Sequence, residues 1–264
     1  MVRPHVAIVT TVATAHVEFF ASVEEVAEAK AEIFRGLVDS GTAIVPRDND
    51  HYDLLARRAR EYGAGDVVSF GGHHESDARL LSSMMEAETS VVSAEIAGHR
   101  INYELNIPGH HWVINSLAVL AGAVALGADL EQAATSLAKL RPLPGRGARH
   151  RVPLGDSGFV LIDESYNASP AAMRAAFETL KLANPAPGGR RIAVLGDMRE
   201  LGDDADALHA ALARDLVAEG ADLILAAGPH MAALYAQLPE RLRGAHAGDA
   251  KSLEPIVLDV VQPG

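Results

Sequence analysis

Short β-branched runs alternate with helical patterns along this chain, and that rhythm restricts the fold more than any single residue does. Val6–Val12 reads as a strand and Ser22–Leu37 as a helix, and Thr42–Val45, Tyr52–Tyr62 and Val67–Phe70 repeat strand, helix, strand. Such a series predicts a mostly parallel sheet with helices on its faces. From Ala78 to Leu105 the texture changes to two or three extended runs around Gly98, which predicts a small antiparallel patch. Helical patterns then occupy Trp112–Leu126 and Leu130–Leu140.

The stretch Arg141-Pro142-Leu143-Pro144-Gly145-Arg146-Gly147 interrupts the pattern, because prolines and glycines punctuate rather than propagate. After it the rhythm restarts. Strands are expected at Phe159–Ile162, Arg191–Leu195 and Leu223–Ala226, and helices at Ala171–Leu182, Ala205–Glu219 and Met231–Leu238. A length of 264 residues has room for two modest domains. The expectation is two α/β domains, 1–140 and 141–264.

Charge and composition remove several functions. With 35 Asp+Glu against 23 Lys+Arg, the formal net charge is -12. A nucleic-acid binder needs a basic face to neutralise phosphates, and an anionic membrane attracts the same face. Neither partner suits this chain. It has no cysteine, which excludes disulfides, thiolate zinc sites and cysteine nucleophiles. No run of 18 strongly apolar residues points to a membrane span.

Several residues could carry chemistry. Ser22 and Glu25 form a capping-box pattern, and apolar positions follow at Val23, Val26, Ala27, Ile33, Phe34 and Leu37. Lys30 falls on that stripe. A desolvated ammonium is disfavoured and leaves a neutral amine for chemistry; the competing reading is a stem that snorkels from the stripe's edge. His16 follows the first strand, where open α/β sheets bind ligands. It could hold a metal or a phosphate, or simply be a solvated loop histidine.

Ser169 and Pro170 are a natural helix cap and first helical residue. Asp163 and Asn167 are not needed for that cap, and hang between a strand end and a helix start. Gly196-Asp197 repeats the design of strand, glycine and acidic residue, or is an ordinary turn. His209 on the next helix is expected on its solvated face, and His73-His74 and His110-His111 in loops. The four lysines are Lys30, Lys139, Lys181 and Lys251, and none follows a glycine as a phosphate-binding loop of the Walker type requires. No G-x-G-x-x-G or G-x-S-x-G is present.

Taken together, the motifs resemble the Mur ligase family. Ala15-His16-Val17-Glu18-Phe19-Phe20 is similar to its A-H-x-E-x-F, and Ala29-Lys30-Ala31-Glu32-Ile33-Phe34 to its A-K-x-E-I-F. Asp163–Pro170 matches D-x-S-Y-N-A-x-P, and Gly196–Gly202 matches G-D-M-x-E-L-G. The last two point to the branch that adds D-alanyl-D-alanine, and speak against branches that add one amino acid or extend folate.

The resemblance implies a fold, a partial central ATPase domain followed by a Rossmann-like C-terminal α/β domain. It also implies an activity, ATP-dependent amide-bond formation in peptidoglycan synthesis by a cytoplasmic monomer. ATP phosphorylates the carboxylate of UDP-N-acetylmuramoyl-tripeptide, and the amine of D-alanyl-D-alanine attacks the acyl phosphate. By the same resemblance Lys30 is carbamylated and, with His16, holds Mg2+. Asn115 faces the ATP base, and Arg146, Asp163, Tyr166 and Asn167 complete the nucleotide site.

The chain also departs from the family. The usual T-N before the histidine is Thr10-Thr11 or Thr11-Val12, and the usual G-R-G-E is Gly145-Arg146-Gly147-Ala148. The family's N-terminal domain, phosphate-binding loop, metal-binding glutamate and lysine-containing tail have no counterpart. The expectation is a piece of a longer ligase, inactive alone. The alternative is a non-catalytic nucleotide- or peptide-binding module derived from such a ligase.

Overall fold

The computed structural model describes residues 2–13 and 20–264. The described residues fall into two compact units that divide between Arg141 and Pro142.

The first unit is built on a six-stranded sheet in sequential order: β1 (Val6–Ile8), β2 (Thr42–Pro46), β3 (Asp66–Gly71), β4 (Ala78–Met85), β5 (Ser90–Ile96) and β6 (His99–Leu105). Neighbours from β1 to β4 run parallel, and β4, β5 and β6 form an antiparallel meander. The alternation of β2 shows why the sheet is covered on both sides. Ala43 and Val45 point into one core with helices α1 (Val23–Ala31) and α2 (Tyr52–Glu61). Ile44 points into the other, with α3 (His110–Ala125) and α4 (Leu130–Leu137).

Helix α1 begins as its sequence predicts, with the Ser22 hydroxyl accepting the Glu25 amide at 3.2 Å. It ends sooner. The α geometry stops at Ala31, and Glu32–Gly36 tighten into a 3-10 turn. That turn keeps Phe34 fully buried but leaves Ile33 48% exposed, so the buried stripe is Val26, Ala27, Ala31 and Phe34.

On the opposite face, Tyr103 of β6 ties α3 to the sheet. Ser116 donates its hydroxyl proton to Val113 O at 2.7 Å, so the Tyr103 hydroxyl is the donor in its 2.6 Å bond to Ser116 Oγ. Burial pushes the Tyr103 phenol up to about 12.

At the far end of β2, Asp48 reaches across to the end of β3. Its carboxylate accepts the amides of Gly72 at 2.6 Å and His73 at 2.7 Å. A Cβ on residue 71, where φ is +146°, would overlap that carboxylate. The glycine is therefore required by the approach of the aspartate.

The second unit opens with a hairpin of β7 (Ala148–Leu154) and β8 (Ser157–Asp163). A parallel sheet follows in the order β11–β10–β9, from β9 (Ile192–Gly196), β10 (Leu223–Ala227) and β11 (Arg243–Ala247). Helices α5 (Pro170–Leu182), α6 (Ala205–Ala218) and α7 (Met231–Gln237) cover one face. Five alanines, Ala193, Ala205, Ala213, Ala221 and Ala226, belong to that core. Helix α8 (Ala250–Val260) lies on the other face, packing Leu253 and Val257 against Leu225 and Ala227. Its Pro255 is exposed, so water can satisfy the carbonyl that proline leaves without a donor.

Leu140 and Leu143 are 45% and 64% exposed beside the division between the units. Limited digestion with thermolysin, which cuts before such residues, should therefore cleave first between Leu137 and Gly145. First cuts inside β2 or β10, with this stretch intact, would show that the chain does not open there.

Candidate functional site

In the second unit, a cleft of about 700 Å3 lies at the carboxyl ends of the parallel strands. Its walls are the loop after β9, from Gly196 to Asp203, the turn after β10, from Ala227 to His230, and the start of α8. Strand ends in open α/β sheets diverge here and leave backbone groups for ligands.

Asp197 ties the ends of β9 and β10 together beside this cleft, as Asp48 ties those of β2 and β3 in the first unit. One carboxylate oxygen accepts the Met231 amide at 2.8 Å and the other the His230 amide at 3.3 Å. Gly228, with φ +119°, lies so close that a Cβ there would overlap the carboxyl group. His230 in turn hydrogen-bonds Asp206 through Nδ1 at 2.8 Å. That bond, reinforced by the charges of Asp197 and Asp206, holds the imidazole above its ordinary range. Arg199, Glu200 and Asp203 are exposed on the rim and bring one cation and two carboxylates.

A second cleft, of about 660 Å3, runs from the loop after β8 along α5 to β9. Asp163 fixes its mouth. The carboxylate accepts the Gly145 amide at 3.0 Å, and from Ser165 both the amide at 3.1 Å and the hydroxyl at 2.6 Å. The Ser165 hydroxyl, with the two amides, holds the Asp163 carboxyl below the usual carboxylate range. Backbone bonds from Gly147 N to Asp163 O at 2.9 Å and from Tyr166 N to Gly145 O at 3.1 Å clamp the two loops together. At Gly145, where φ is +74°, a Cβ would lie 2.8 Å from Tyr166 Cβ. The clamp sets the Arg146 guanidinium over the Tyr166 ring, 4.2 Å from its centroid, while Tyr166 stays 68% exposed. Asn167 turns its side-chain oxygen to the Ala168 amide at 2.9 Å.

The structure thus brings together Arg146, Asp163, Tyr166 and Asn167. Of the other expected residues, Asn115 and Lys30 belong to the first unit. Asn115 sits half-buried on α3, with no side-chain hydrogen-bond partner among the described residues. Lys30 is on α1, across the sheet from α3, and it is exposed. The structure therefore does not bury Lys30 on the apolar stripe as its spacing predicted. His16 lies outside the described residues. Among those described, no three His, Cys, Asp or Glu side chains gather as a metal site.

Two further expectations are corrected. His209 is fully buried, not solvated. His110 and His111 open α3 instead of lying in a loop, and burial pushes the His111 imidazole down. Asp197 was noted only as part of a strand-glycine-acid turn, and Gly228 and His230 were not singled out by the sequence. The available signal was the glycine or acidic residue placed directly after each strand.

Residues 1–123 match the Mur ligase middle domain, and residues 149–263 match the glutamate ligase domain of Mur ligases. The Escherichia coli UDP-N-acetylmuramoyl-tripeptide–D-alanyl-D-alanine ligase is 33% identical over 229 residues, covering 86% of this chain and 48% of that protein. The crystal structure of MurF from Acinetobacter baumannii superposes with a TM-score of 0.86 at 28% identity, covering 98% of this chain and 54% of that one. MurF from Thermotoga maritima, solved in complex with ADP, shares the fold with a TM-score of 0.80 at 23% identity, over 99% and 57% of the two chains. The chain spans about half the length of the curated relatives it matches.

Two substitutions test the geometry of the first cleft. Gly228→Ala should destabilise the second unit by roughly 1–3 kcal/mol in urea denaturation, the usual cost of a strained backbone position. Gly63→Ala, also at positive φ but with open space around it, should cost less; equal losses would remove the role given to Asp197. Asp206→Asn should lower the titration midpoint of His230, followed by NMR of its ring protons. Because that midpoint is raised by folding, the stability it contributes is complete below about 6.5 and is lost as pH rises through the raised value. An unchanged midpoint in the variant would exclude Asp206 as its cause.

Proposed function

We propose, given that this chain belongs to the Mur ligase family, that it provides the middle and C-terminal parts of a ligase joining D-alanyl-D-alanine to UDP-N-acetylmuramoyl-tripeptide. The observation that carries the reading is the succession of both Mur domains along one chain, together with curated relatives named for that one activity. In this reaction the γ-phosphoryl group of ATP passes to the tripeptide carboxylate. The dipeptide amine then attacks the acyl carbon, phosphate leaves, and an amide bond remains.

The chain's own groups suit parts of this task. The exposed ring of Tyr166 offers a face for a base, and Arg146, held over the same ring, offers a planar cation for phosphate. Asp163 orients both by fixing the loop that carries them. The resemblance assigns Asn115, on α3, to the ATP base. The cleft beside Asp197, with Arg199, Glu200 and Asp203 on its rim, suits a small zwitterion such as D-alanyl-D-alanine. Positioning of this kind supplies much of the rate in phosphoryl and acyl transfer.

Magnesium is the expected companion of ATP and would neutralise its phosphates. An ammonium has no lone pair for a cation, so Lys30 enters as a ligand only as a carbamate, with His16 beside it. The described residues do not assemble the rest of such a set, and no step is assigned to the metal. The proposed compartment is the cytoplasm. Among the described residues no helix is long and apolar enough to cross a membrane.

Phosphate release from ATP is the direct test. In the longer ligase it should require both UDP-N-acetylmuramoyl-tripeptide and D-alanyl-D-alanine, and this chain alone should show none. Release that depends on a single amino acid would overturn the branch assignment. Binding of ATP and dipeptide without turnover even in the longer ligase would favour the non-catalytic module. If Lys30 holds the metal as a carbamate, Lys30→Ala in the longer ligase should abolish turnover, and added acetate should restore part of it.

A further inference from the structure

Five polar side chains are buried among the described residues, and one of them, His209, is a fully buried imidazole. It sits on α6, one turn after Ala205, and both ring nitrogens are occupied. Nδ1 lies 2.7 Å from the Ala205 carbonyl oxygen, and Nε2 lies 2.9 Å from the Met198 amide nitrogen. A carbonyl cannot donate and an amide N–H cannot accept. The two partners therefore fix one tautomer: Nδ1–H donates to Ala205, and the Nε2 lone pair accepts from Met198. The bond to Ala205 is local to the helix. The bond to Met198 reaches out of the helix to the loop after β9.

That loop residue follows Asp197 directly, so fixing the Met198 amide fixes the backbone from which the Asp197 carboxylate projects. The Met198 side chain is itself buried in the core of the second unit, 2% exposed, with Leu201 and Ala205. On the cleft side, the His230 ring stacks on His209, with centroids 5.6 Å apart and planes 26° apart. His209 thus touches both sides of the Asp197 bridge: the strand-end loop that carries the carboxylate, and the residue whose amide it accepts.

We propose that His209 is a positioning residue for the cleft: a neutral, Nδ1-protonated imidazole that sets the Met198 turn and, through it, Asp197. A leucine of similar size would fill the space but leave the buried Met198 N–H without an acceptor. Such orphaned donors are costly, and a loop relieves the cost by opening to water. The inference deepens the substrate reading of this cleft and rests on it for its functional meaning, but its geometry stands without a ligand.

The test separates the two hydrogen bonds. In His209→Gln the side-chain oxygen can take the place of Nε2 and accept from Met198. In His209→Asn the shorter amide can reach Ala205 O but not Met198. Hydrogen exchange of the Met198 amide, read residue by residue by NMR without ligand, should speed up about five- to thirty-fold in the Asn variant. It should stay near wild type in the Gln variant, and the Leu225 amide in β10 should be unaffected in both. A purely space-filling role would raise exchange at Met198 and Leu225 together, and either that result or equal Met198 exchange in Gln and Asn would overturn the proposal. Titration with D-alanyl-D-alanine then reports on the substrate reading separately. Wild-type protein that does not bind the dipeptide removes that reading, while the exchange pattern still decides the role of His209. If the wild type binds, the Gln variant should match it and the Asn variant should bind more weakly; equal affinities would deny that the position of the turn matters to the cleft.

Discussion

A carboxylate can lie against the backbone of a neighbouring strand only if no side chain stands in its way. Both units are built around that condition. Asp48 occupies the space a Cβ on Gly71 would fill, and Asp197 the space of one on Gly228. In each case the carboxylate follows one parallel strand and accepts two amides in the chain that leaves the next strand. The amides need acceptors because the chain has left the sheet, and the aspartate supplies them without another strand. The mouth of each sheet is held open and still ordered, which is what a ligand cleft demands.

Much of this architecture was legible in the sequence. Val6, Thr42–Val45 and Val67–Phe70 carry β-branched runs that only a covered parallel sheet tolerates, and the structure places them side by side. The elements that escaped notice are the ones whose local chemistry argues against them. Strand β11, Arg-Gly-Ala-His-Ala, has no β-branched residue and pairs because β10 offers it a partner. Helix α8 contains a proline, tolerated because the affected turn faces water. Strand β7 has apolar residues too sparse to show a period.

The sites were legible in a different way. Periodicity placed Lys30 on the apolar stripe of α1, but the buried positions are Val26, Ala27, Ala31 and Phe34, and Lys30 is exposed beside them. His209 failed in the opposite sense, since a polar residue on an alanine-rich helix gives no hint that two backbone groups will solvate it. Asp163 was read correctly as surplus to the Ser169 cap. What one position could not reveal is that it binds Gly145, across the segment that the prolines and glycines interrupt.

The alanines in the second core carry a further implication. Ala193 and Ala226 of the sheet and Ala205 and Ala213 of α6 share one core; at each of them little remains to be cut away, so truncation can open no large void. Addition is the greater hazard. A single extra methylene at such a position strains close-packed neighbours. Sequence drift in this unit is therefore bounded from above: its tolerance is set by the largest side chain each contact will admit, and a survey of viable variants would find the ceiling lowest along α6.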